Sequence, residues 1–311
     1  MKTLSGLIVF FLFQGCSQGY RPQFSKAFDY GVIYGEDNRS ETDYNDILNQ
    51  NPNLTPEEDE MLLEMQKSTA GMVELGKHVK KNSDGSISPA KELLTLGDRK
   101  NLCAGEKFSD QYTLPVCSGF LVGPDLLVTA GHCVSKDDFK NRVWIFGYNQ
   151  EYAHDAEPVF SKEFVYFTKE VVLWEKDALT KKDFAVVRLD RKVVGVKTLK
   201  IRTYGKIENG DQLAIIGHPS GLPSKISAGA KVLDASNENS IKTNLDSFGG
   251  NSGSVVINIK TGKVEGILVS GAADYVYSDD PQNDCQKVNT RKEDEGEEYI
   301  TRITLISSVV N

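Results

Sequence analysis

Short β-branched and aromatic segments separated by turns dominate the chain from Val116 onward, and they constrain its fold more than any other feature. Gly, Pro, Asn or Asp residues bound these segments, as is usual for strands of antiparallel sheets. The segments are 120–122, 126–128, 143–146, 164–167, 184–187, 213–216, 254–257 and 266–269. Many short strands at this spacing, with little helical periodicity, predict an all-β fold built as a sandwich or a pair of barrels.

The first third of the chain has a different pattern. Thr55-Pro56-Glu57-Glu58 combines an N-cap residue, a first-turn proline and a capping-box glutamate, which predicts a helix over 56–66. We expect a first strand over 68–75 and a turn-rich surface excursion over 82–98. At the other end, 300–310 is predicted to close the domain as a short strand or a helix, and periodicity does not decide between them.

The N-terminal residues indicate export. A short basic start precedes an apolar run over 4–13, which is too short to span a bilayer comfortably and is typical of a secretory signal. Gln14-Gly15-Cys16-Ser17 resembles a bacterial lipoprotein cleavage box, in which Cys16 would become the lipidated first residue. The alternative is ordinary signal removal near 17–19, which would leave a soluble protein. We expect a signal peptide over 1–16, a linker over 17–31 and a folded domain over 32–311. The protein would then be a periplasmic or outer-membrane lipoprotein, or a secreted protein.

Cysteine count and net charge limit which cross-links, metals and partners the chain can have. The sequence has five cysteines, an odd number for an exported chain. If Cys16 carries lipid, then Cys103, Cys117, Cys133 and Cys285 can form two disulfides in an oxidising compartment. No Cys-x-x-Cys or His-x-x-x-His spacing supports zinc, and we expect no metal or other cofactor. A formal net charge of −8 provides no basic footprint for nucleic acid.

Three segments that lie far apart in sequence supply the residue types of a serine hydrolase. Ser252 lies in a turn of small residues, Gly-Gly-Asn-Ser-Gly-Ser, that would leave a nucleophile uncrowded. His132 follows the apolar run 126–128 after three small residues, and Asp183 opens the predicted strand 184–187. A serine hydroxyl needs a neighbouring base, and a carboxylate can fix the tautomer of that base and stabilise its cation. The order His, Asp, Ser is one of the few in which such a triad occurs.

Each assignment has a simpler alternative. His218 also follows an apolar strand, but nothing around it supplies the rest of a triad, and it is predicted to be a turn or rim residue. Asp183 alone would be interpreted as a strand-start cap that faces solvent. The Gly/Ser run at Ser252 alone would be an ordinary turn. The three residues together, in this order, favour catalysis.

The segment 116–122 and the run Thr-Ala-Gly-His-Cys that ends at Cys133 resemble the trypsin-type serine protease superfamily. The Asp-x-Ala-Val-x-x-Leu strand from Asp183 and the turn at Ser252 resemble its bacterial branch, the glutamyl endopeptidase (V8-like) group. The segment 32–39 resembles the mature start of that group, so the similarity runs from about Val32 to Val269. It implies two six-stranded antiparallel β-barrels, over about 67–175 and 180–311, with the active site between them. It also implies a serine endopeptidase that hydrolyses polypeptide substrates through an acyl-enzyme, and we expect a monomer.

The same resemblance implies further roles. Cysteines placed as Cys117 and Cys133 form a disulfide in that superfamily, which leaves Cys103 and Cys285 as a second pair. The backbone N–H groups of Gly250 and Ser252 would form the oxyanion hole, and glycine suits the unusual backbone angle needed there. Digestive trypsins place an aspartate before the serine, but here that residue is Asn251, so activation by pairing with a new N-terminus is not expected.

Substrate specificity is the property that the sequence determines least. The superfamily places the base of the primary pocket six residues before the nucleophile, which is Asp246 here, and a carboxylate there would favour lysine or arginine. The wall strand, with Ser270 and Gly271 at its end as expected substrate contacts, lacks the histidine found in glutamate-specific relatives. Two alternatives stay open: an active protease with another specificity, such as glutamate, and a catalytically inactive, protease-like binding lipoprotein.

Overall fold

The computed structural model describes residues 34, 37, 39–42, 56–280 and 283–310, and for 56–61 the backbone alone. The predicted signal peptide over 1–16, its Cys16 and the linker over 17–31 lie outside these residues. Helices α1 and α2 span Pro56–Lys67 and Leu96–Lys100. In the part of the chain that is described, no helix is long and apolar enough to cross a membrane.

The strands, in chain order, are β1 (Ser40–Glu41), β2 (Thr69–Glu74), β3 (Val79–Lys81), β4 (Ile87–Pro89), β5 (Cys117–Leu121), β6 (Leu126–Thr129), β7 (Arg142–Phe146), β8 (Val165–Asp177), β9 (Lys182–Leu189), β10 (Gln212–Gly217), β11 (Lys225–Asp234), β12 (Ser240–Thr243), β13 (Val255–Asn258), β14 (Lys263–Ser270), β15 (Tyr275–Tyr277), β16 (Gln286–Val288) and β17 (Glu298–Arg302). Each segment that was expected to be a strand from Val116 onward lies in or overlaps one of them. The all-β prediction is therefore confirmed.

The first barrel is a closed ring of six antiparallel strands in the order β2-β5-β6-β9-β8-β7. It extends through Leu189, past the expected boundary at about 175–180, because β9 pairs with both β6 and β8. The register of β6 with β9 matters for the site. Thr129 lies opposite Ala185, so the residues just after β6 and those at the start of β9 meet at one end of the barrel.

The second barrel is also six-stranded and closed, in the order β11-β10-β13-β14-β17-β12, because β12 pairs with both β17 and β11. The short strand β1 adds to the outside of this ring by pairing with β11. The predicted architecture of two six-stranded antiparallel barrels is thus confirmed.

Side chains point alternately to the two faces of each strand, and they form a core inside each barrel and one apolar cluster that the two barrels share. In β5, Leu121 faces the interior of the first barrel, whereas its neighbour Phe120 belongs to a cluster shared by the two barrels, since successive strand residues point to opposite faces. Members of the shared cluster come from both barrels and include Val128, Phe184, Val186, Ile216, Val255 and Ile267. Burial of such side chains stabilises by about 1.5–3 kcal/mol each, so the barrels are held together by an apolar seam.

The segments outside the barrels cover this seam and the barrel ends. Helix α1 confirms the predicted helix and packs Leu62 and Met65 into the shared cluster. The segment 82–98 is not the surface excursion we expected: Ile87 and Leu96 are buried, because the β3–β4 hairpin and α2 cover the first barrel. The C-terminal end combines both expected outcomes, a strand (β17) followed by a 3₁₀ turn at Ile303–Ile306.

Candidate active site

The histidine turn lies at the end of β6. After Thr129 the chain forms a 3₁₀ turn, Gly131–Cys133, and the Trp174 indole N–H donates to the Gly131 carbonyl oxygen at 2.9 Å. The Cys117–Cys133 disulfide joins this turn to the start of β5, with a Cα–Cα distance of 6.2 Å. The backbone of His132 is thus held in place by this turn, while 28 % of its side chain remains exposed.

Asp183 contacts His132 with both carboxylate oxygens. Oδ2 lies 2.8 Å from His132 Nδ1, and Oδ1 accepts the His132 backbone N–H at 2.8 Å. The pairing of β6 with β9 brings the two residues together, because both lie just beyond the paired Thr129 and Ala185. An Nδ1–H that donates to this carboxylate leaves Nε2 as the basic nitrogen, which is the tautomer that a general base requires. The structure thus brings two of the three predicted catalytic residues into contact.

Ser252 lies on the other side of the seam, in the turn before β13. Its carbonyl oxygen accepts the Ser118 N–H at 2.8 Å and lies 3.6 Å from Cys133 Sγ. A ring nitrogen of His132 and the sulfurs of Cys117 and Cys133 lie within 4.8 Å of one another. The same disulfide therefore lies close to the Ser252 backbone and to the His132 ring, so the serine turn and the histidine turn are neighbours.

The turn before the serine has the geometry of an oxyanion site. Gly250 has φ +100°, and a Cβ at this position would lie 2.5 Å from the His218 carbonyl oxygen, so only glycine fits. Among the described residues, the N–H groups of Gly250 and Ser252 have no hydrogen-bond partner. Unpaired backbone donors beside a nucleophile are what stabilisation of a developing oxyanion requires.

Two hydrogen bonds fix the orientation of these peptide groups. The Ser220 N–H donates to the Gly249 carbonyl oxygen at 2.6 Å, and because one planar peptide unit carries that oxygen and the Gly250 N–H, the N–H points the opposite way. The fully buried Ser118 hydroxyl donates to the Gly250 carbonyl oxygen at 2.9 Å and accepts the His218 N–H at 3.0 Å. The first barrel thus holds the oxyanion turn of the second.

His218 is buried rather than a turn or rim residue as predicted, because it packs behind the oxyanion turn. Its side chain is 1 % exposed and stacks on Tyr148, with the ring centroids 5.8 Å apart. Burial lowers the pKa of His218 to about 4, so the ring is neutral at neutral pH and its Nδ1–H donates to the Leu222 carbonyl oxygen at 3.0 Å. His218 is therefore a packing residue and no rival to His132.

A cavity of about 160 Å³ opens beside Ser252 and is the candidate primary pocket. Ser270 and Gly271 line it, as the resemblance implied. The carboxylate that lines this cavity belongs to Asp274, whose Oδ2 accepts the Gly249 N–H at 2.8 Å. Burial raises the pKa of Asp274, partly offset by that N–H. Its Oδ1 has no hydrogen bond within the described residues, so it is available to a substrate group.

Asp246, the predicted pocket base, lies behind this cavity rather than in it. Its carboxylate accepts the Tyr34 N–H at 3.3 Å and the Ser227 hydroxyl at 3.4 Å. It lines a smaller inner chamber, of about 30 Å³, that shares Asp274 with the primary pocket. The chain turns the Asp246 side chain toward the N-terminal segment, whereas the loop after β14 supplies the pocket carboxylate.

Glu298 is a third carboxylate of the inner chamber. It is 3 % exposed, accepts the Ala272 N–H at 3.0 Å and pairs with the Ser247 hydroxyl. A Cβ on residue 271 would lie 1.8 Å from Glu298 Oε2, so Gly271 makes room for this carboxylate. Burial raises the pKa of Glu298 to about 7.

Residues near the N-terminus support the pocket wall. Arg39 is 1 % exposed, lies 3.9 Å from the centroid of the Phe248 ring and donates from Nε to Asp37 Oδ1 at 2.9 Å. Its neighbour Glu41 accepts a buried hydrogen bond from Lys225 at 2.8 Å. Phe248 lines the primary pocket, so this segment packs against the back of its wall.

Sequence reasoning missed Asp274, Glu298 and Arg39. Asp274 gave a weak signal, as the one acid in the small-residue run Gly-Ala-Ala-Asp after the wall strand. Glu298 and Arg39 gave none, because the acidic run around 293–298 and the 32–39 segment look like surface charge. Both predicted disulfides are present, and Cys103–Cys285 has a Cα–Cα distance of 5.0 Å. Disulfide sulfurs are not metal thiolates, so the Cys117, His132 and Cys133 group is no metal centre.

Comparisons with known proteins agree with this geometry. The family model of the trypsin-like peptidase domain matches residues 117–267. Similar solved structures include human heparin binding protein, at 13 % identity and a TM-score of 0.46, which covers 79 % of this chain and 90 % of that one. Another is a Glu endopeptidase in complex with MPD, at 16 % identity and a TM-score of 0.48, covering 89 % and 96 %. These two likenesses are too distant to bear on activity. No curated protein matches the chain.

Two closed six-stranded barrels with a histidine, an aspartate and a serine gathered at their seam define a chymotrypsin-like fold. The trypsin-like peptidase domain model, which matches 117–267, covers the part of the chain that carries these three residues.

Proposed function

We propose that this protein is a serine endopeptidase in which Ser252 is the nucleophile, His132 the general base and Asp183 the residue that orients the base. The observation that carries this proposal is the two-point contact of Asp183 with the ring and the backbone of His132. A protein that only binds peptides has no need of an imidazole held in one tautomer beside a serine turn with two unpaired N–H groups.

The reaction follows from this geometry. His132 Nε2 accepts the Ser252 hydroxyl proton as Oγ attacks the substrate carbonyl carbon, and Asp183 stabilises the imidazolium that forms. The N–H groups of Gly250 and Ser252 stabilise the oxyanion. His132 then donates the proton to the leaving amine, which leaves an acyl-enzyme. Water attacks that ester with His132 again as base, and Ser252 regains its proton as the acid product departs.

The proposed specificity is for lysine or arginine before the cleaved bond. Asp274 lines the primary pocket, and Asp246 and Glu298 line the chamber behind it. Arg291 also lines that chamber, but it pairs with Glu297 at 2.6 Å. A glutamate side chain in this pocket would meet like charge at short range, whereas a cationic one gains charge-assisted hydrogen bonds.

We also propose export with lipidation of Cys16, on the strength of the basic start, the apolar run and the glycine directly before that cysteine. Metabolic labelling with a radioactive fatty acid tests it. Label in the wild-type protein that is lost in Cys16→Ser supports the anchor. Export of an unlabelled protein supports ordinary signal removal.

Mapping of cleavage sites tests the enzymatic proposal. The purified protein is incubated with a denatured proteome, and new peptide ends are identified by mass spectrometry, with Ser252→Ala as the control. Cleavage after lysine and arginine that disappears in Ser252→Ala is expected. Equal end sets from the two proteins would refute the activity, and Ser252-dependent ends after glutamate would refute only the specificity.

A further inference from the structure

A second cavity, of about 380 Å³, lies beside the catalytic residues and has an excess of basic side chains. It is bounded by the turn between β8 and β9 on one side and by the end of β14 on the other. We call it the lysine cleft, and its defining residues are Lys176, Lys181, Lys182, Val269, Ser270 and Tyr299. It reaches the catalytic centre at Asp183 and the primary pocket at Ser270, because both residues line it as well.

The anionic groups near this cleft are already engaged. Both oxygens of Asp183 contact His132. Asp177 Oδ1 accepts the Leu179 N–H at 2.8 Å, and this local bonding contributes to lowering the pKa of Asp177. Glu175 pairs with Lys182 at 3.1 Å. The three carboxylates on this hairpin therefore already contact His132, a backbone N–H of the turn and Lys182.

Lys176 and Lys181 are paired less closely than Lys182, although Lys181 contributes to lowering the pKa of Asp234. Within the described ranges neither forms a salt bridge, and both side chains are exposed. The Lys181 ammonium lies 5.8 Å from the centroid of the Tyr299 ring, so an apolar face lies next to the charge. The turn that carries Lys181 is tied to the second barrel, because the Asn239 side-chain N–H donates to the Thr180 carbonyl oxygen at 2.8 Å.

We infer that the lysine cleft binds acidic residues of a polypeptide substrate on the acyl side of the cleaved bond. The inference rests on the proposed function for its biological meaning. The residue in the primary pocket belongs to the acyl half of the substrate, and Ser270 is common to that pocket and to the cleft, so the same half of the substrate passes both. An extended chain advances about 3.3 Å per residue, so residues two to four before the cut are the candidates.

The two cavities have opposite charge, and together they define a substrate class. The primary pocket and its inner chamber contain Asp274, Asp246 and Glu298, whereas the lysine cleft presents Lys176 and Lys181. A segment with one or two acidic residues shortly before a lysine or arginine matches both. A segment with the charges in reverse order meets like charge at each position. The two cavities therefore disfavour that segment as well as favouring the first one.

Peptide binding to the inactive Ser252→Ala protein tests this inference without requiring turnover. The probes are fluorescein-labelled hexapeptides with a C-terminal lysine amide and one glutamate placed one, two or three residues before it, each matched with a glutamine peptide. We expect about two- to fivefold tighter binding of at least one glutamate peptide in low salt, because exposed ion pairs contribute modestly. Lys176→Glu/Lys181→Glu should abolish or reverse that preference. The control Lys140→Glu/Lys192→Glu makes the same charge change at exposed sites outside the cleft and should keep it.

Equal affinity for every glutamate and glutamine pair, or a preference that survives in Lys176→Glu/Lys181→Glu, would overturn the inference. Hydrolysis by the protein with Ser252 intact separates this result from failure of the proposed function. A binding preference without any Ser252-dependent hydrolysis refutes the peptidase activity and supports binding of acidic residues in the lysine cleft. Hydrolysis without a binding preference refutes only the role of the cleft.

Discussion

The two barrels contribute to the site in different ways. The first barrel supplies His132 and Asp183 from the ends of two strands that are hydrogen-bonded neighbours, so ordinary sheet pairing brings them into contact. The second barrel supplies the primary pocket and the inner chamber behind it from parts that are distant in sequence. These are the loop with Asp274, Glu298 of β17 and, behind the pocket wall, the segment with Arg39. The proposed catalytic pair is therefore local in the sheet, whereas the candidate pocket is assembled from parts that are distant in sequence.

This difference explains what could be predicted. His132, Asp183 and Ser252 lie in short motifs whose chemistry depends on residue type and order, and the strand patterns around them determine the barrels. Asp246 was identified by its spacing from Ser252 alone, and the fold turns it toward Tyr34 behind the pocket. No local pattern could show this contact, because Tyr34 and Asp246 are far apart in the sequence.

The first-barrel half is tested most strongly by Asp183→Asn. The amide keeps the shape but can favour the wrong imidazole tautomer, so kcat should fall by about 10⁴-fold. Steady-state hydrolysis of a lysine reporter peptide measures it, with thermal unfolding to show that the fold is kept. A fall of less than about tenfold in a folded variant would mean that Asp183 does not orient His132.

The oxyanion turn is tested by Gly250→Val. A Cβ would meet the His218 carbonyl oxygen at 2.5 Å and φ is +100°, so the turn must move. Loss of one oxyanion donor should lower kcat by about 10²–10³-fold with a smaller change in KM. Full turnover in the folded variant would contradict the assignment.

The pocket is tested by comparing Asp274→Asn with Asp246→Asn. If Asp274 contacts the substrate cation, its variant should lose about 10- to 100-fold of the kcat/KM ratio of lysine to norleucine reporters, since hydrogen bonds to charged groups contribute about 1.5–3 kcal/mol. Asp246→Asn should lower that ratio by only about threefold, because Asp246 lies in the chamber behind the pocket and acts on the substrate cation without contacting it. The opposite ranking would restore Asp246 as the pocket base.

The contact between the barrels is tested by Ser118→Ala. Without the hydroxyl, the Gly250 carbonyl oxygen loses its donor, and kcat should fall about tenfold at nearly constant KM. Ser68→Ala is a matched control, because Ser68 is also fully buried and its hydroxyl contacts backbone carbonyl oxygens, those of Glu64 and Lys197. Comparable activity losses in both variants would mean that lost stability, not the position of the oxyanion turn, is the cause.

The smallest expected effect is a pH dependence of specificity. Burial raises the pKa of Glu298 to about 7, so the inner chamber becomes more negative as pH rises from 6 to 8. The kcat/KM ratio of lysine to norleucine reporters should rise about threefold over that range and stay flat in Glu298→Gln. The ratio cancels every pH effect that the two reporters share. A raised folded-state pKa also means that wild-type stability, relative to Glu298→Gln, should fall as pH rises from about 4 to 7.

Labelling with an organophosphonate that traps activated serines tests the central claim most directly. The account predicts a single covalent adduct, located at Ser252 by peptide mass spectrometry, that forms rapidly in the wild-type protein and at least about 10³-fold more slowly in His132→Ala. An unlabelled Ser252 in the folded wild-type protein, or equal labelling rates in the two proteins, would contradict it.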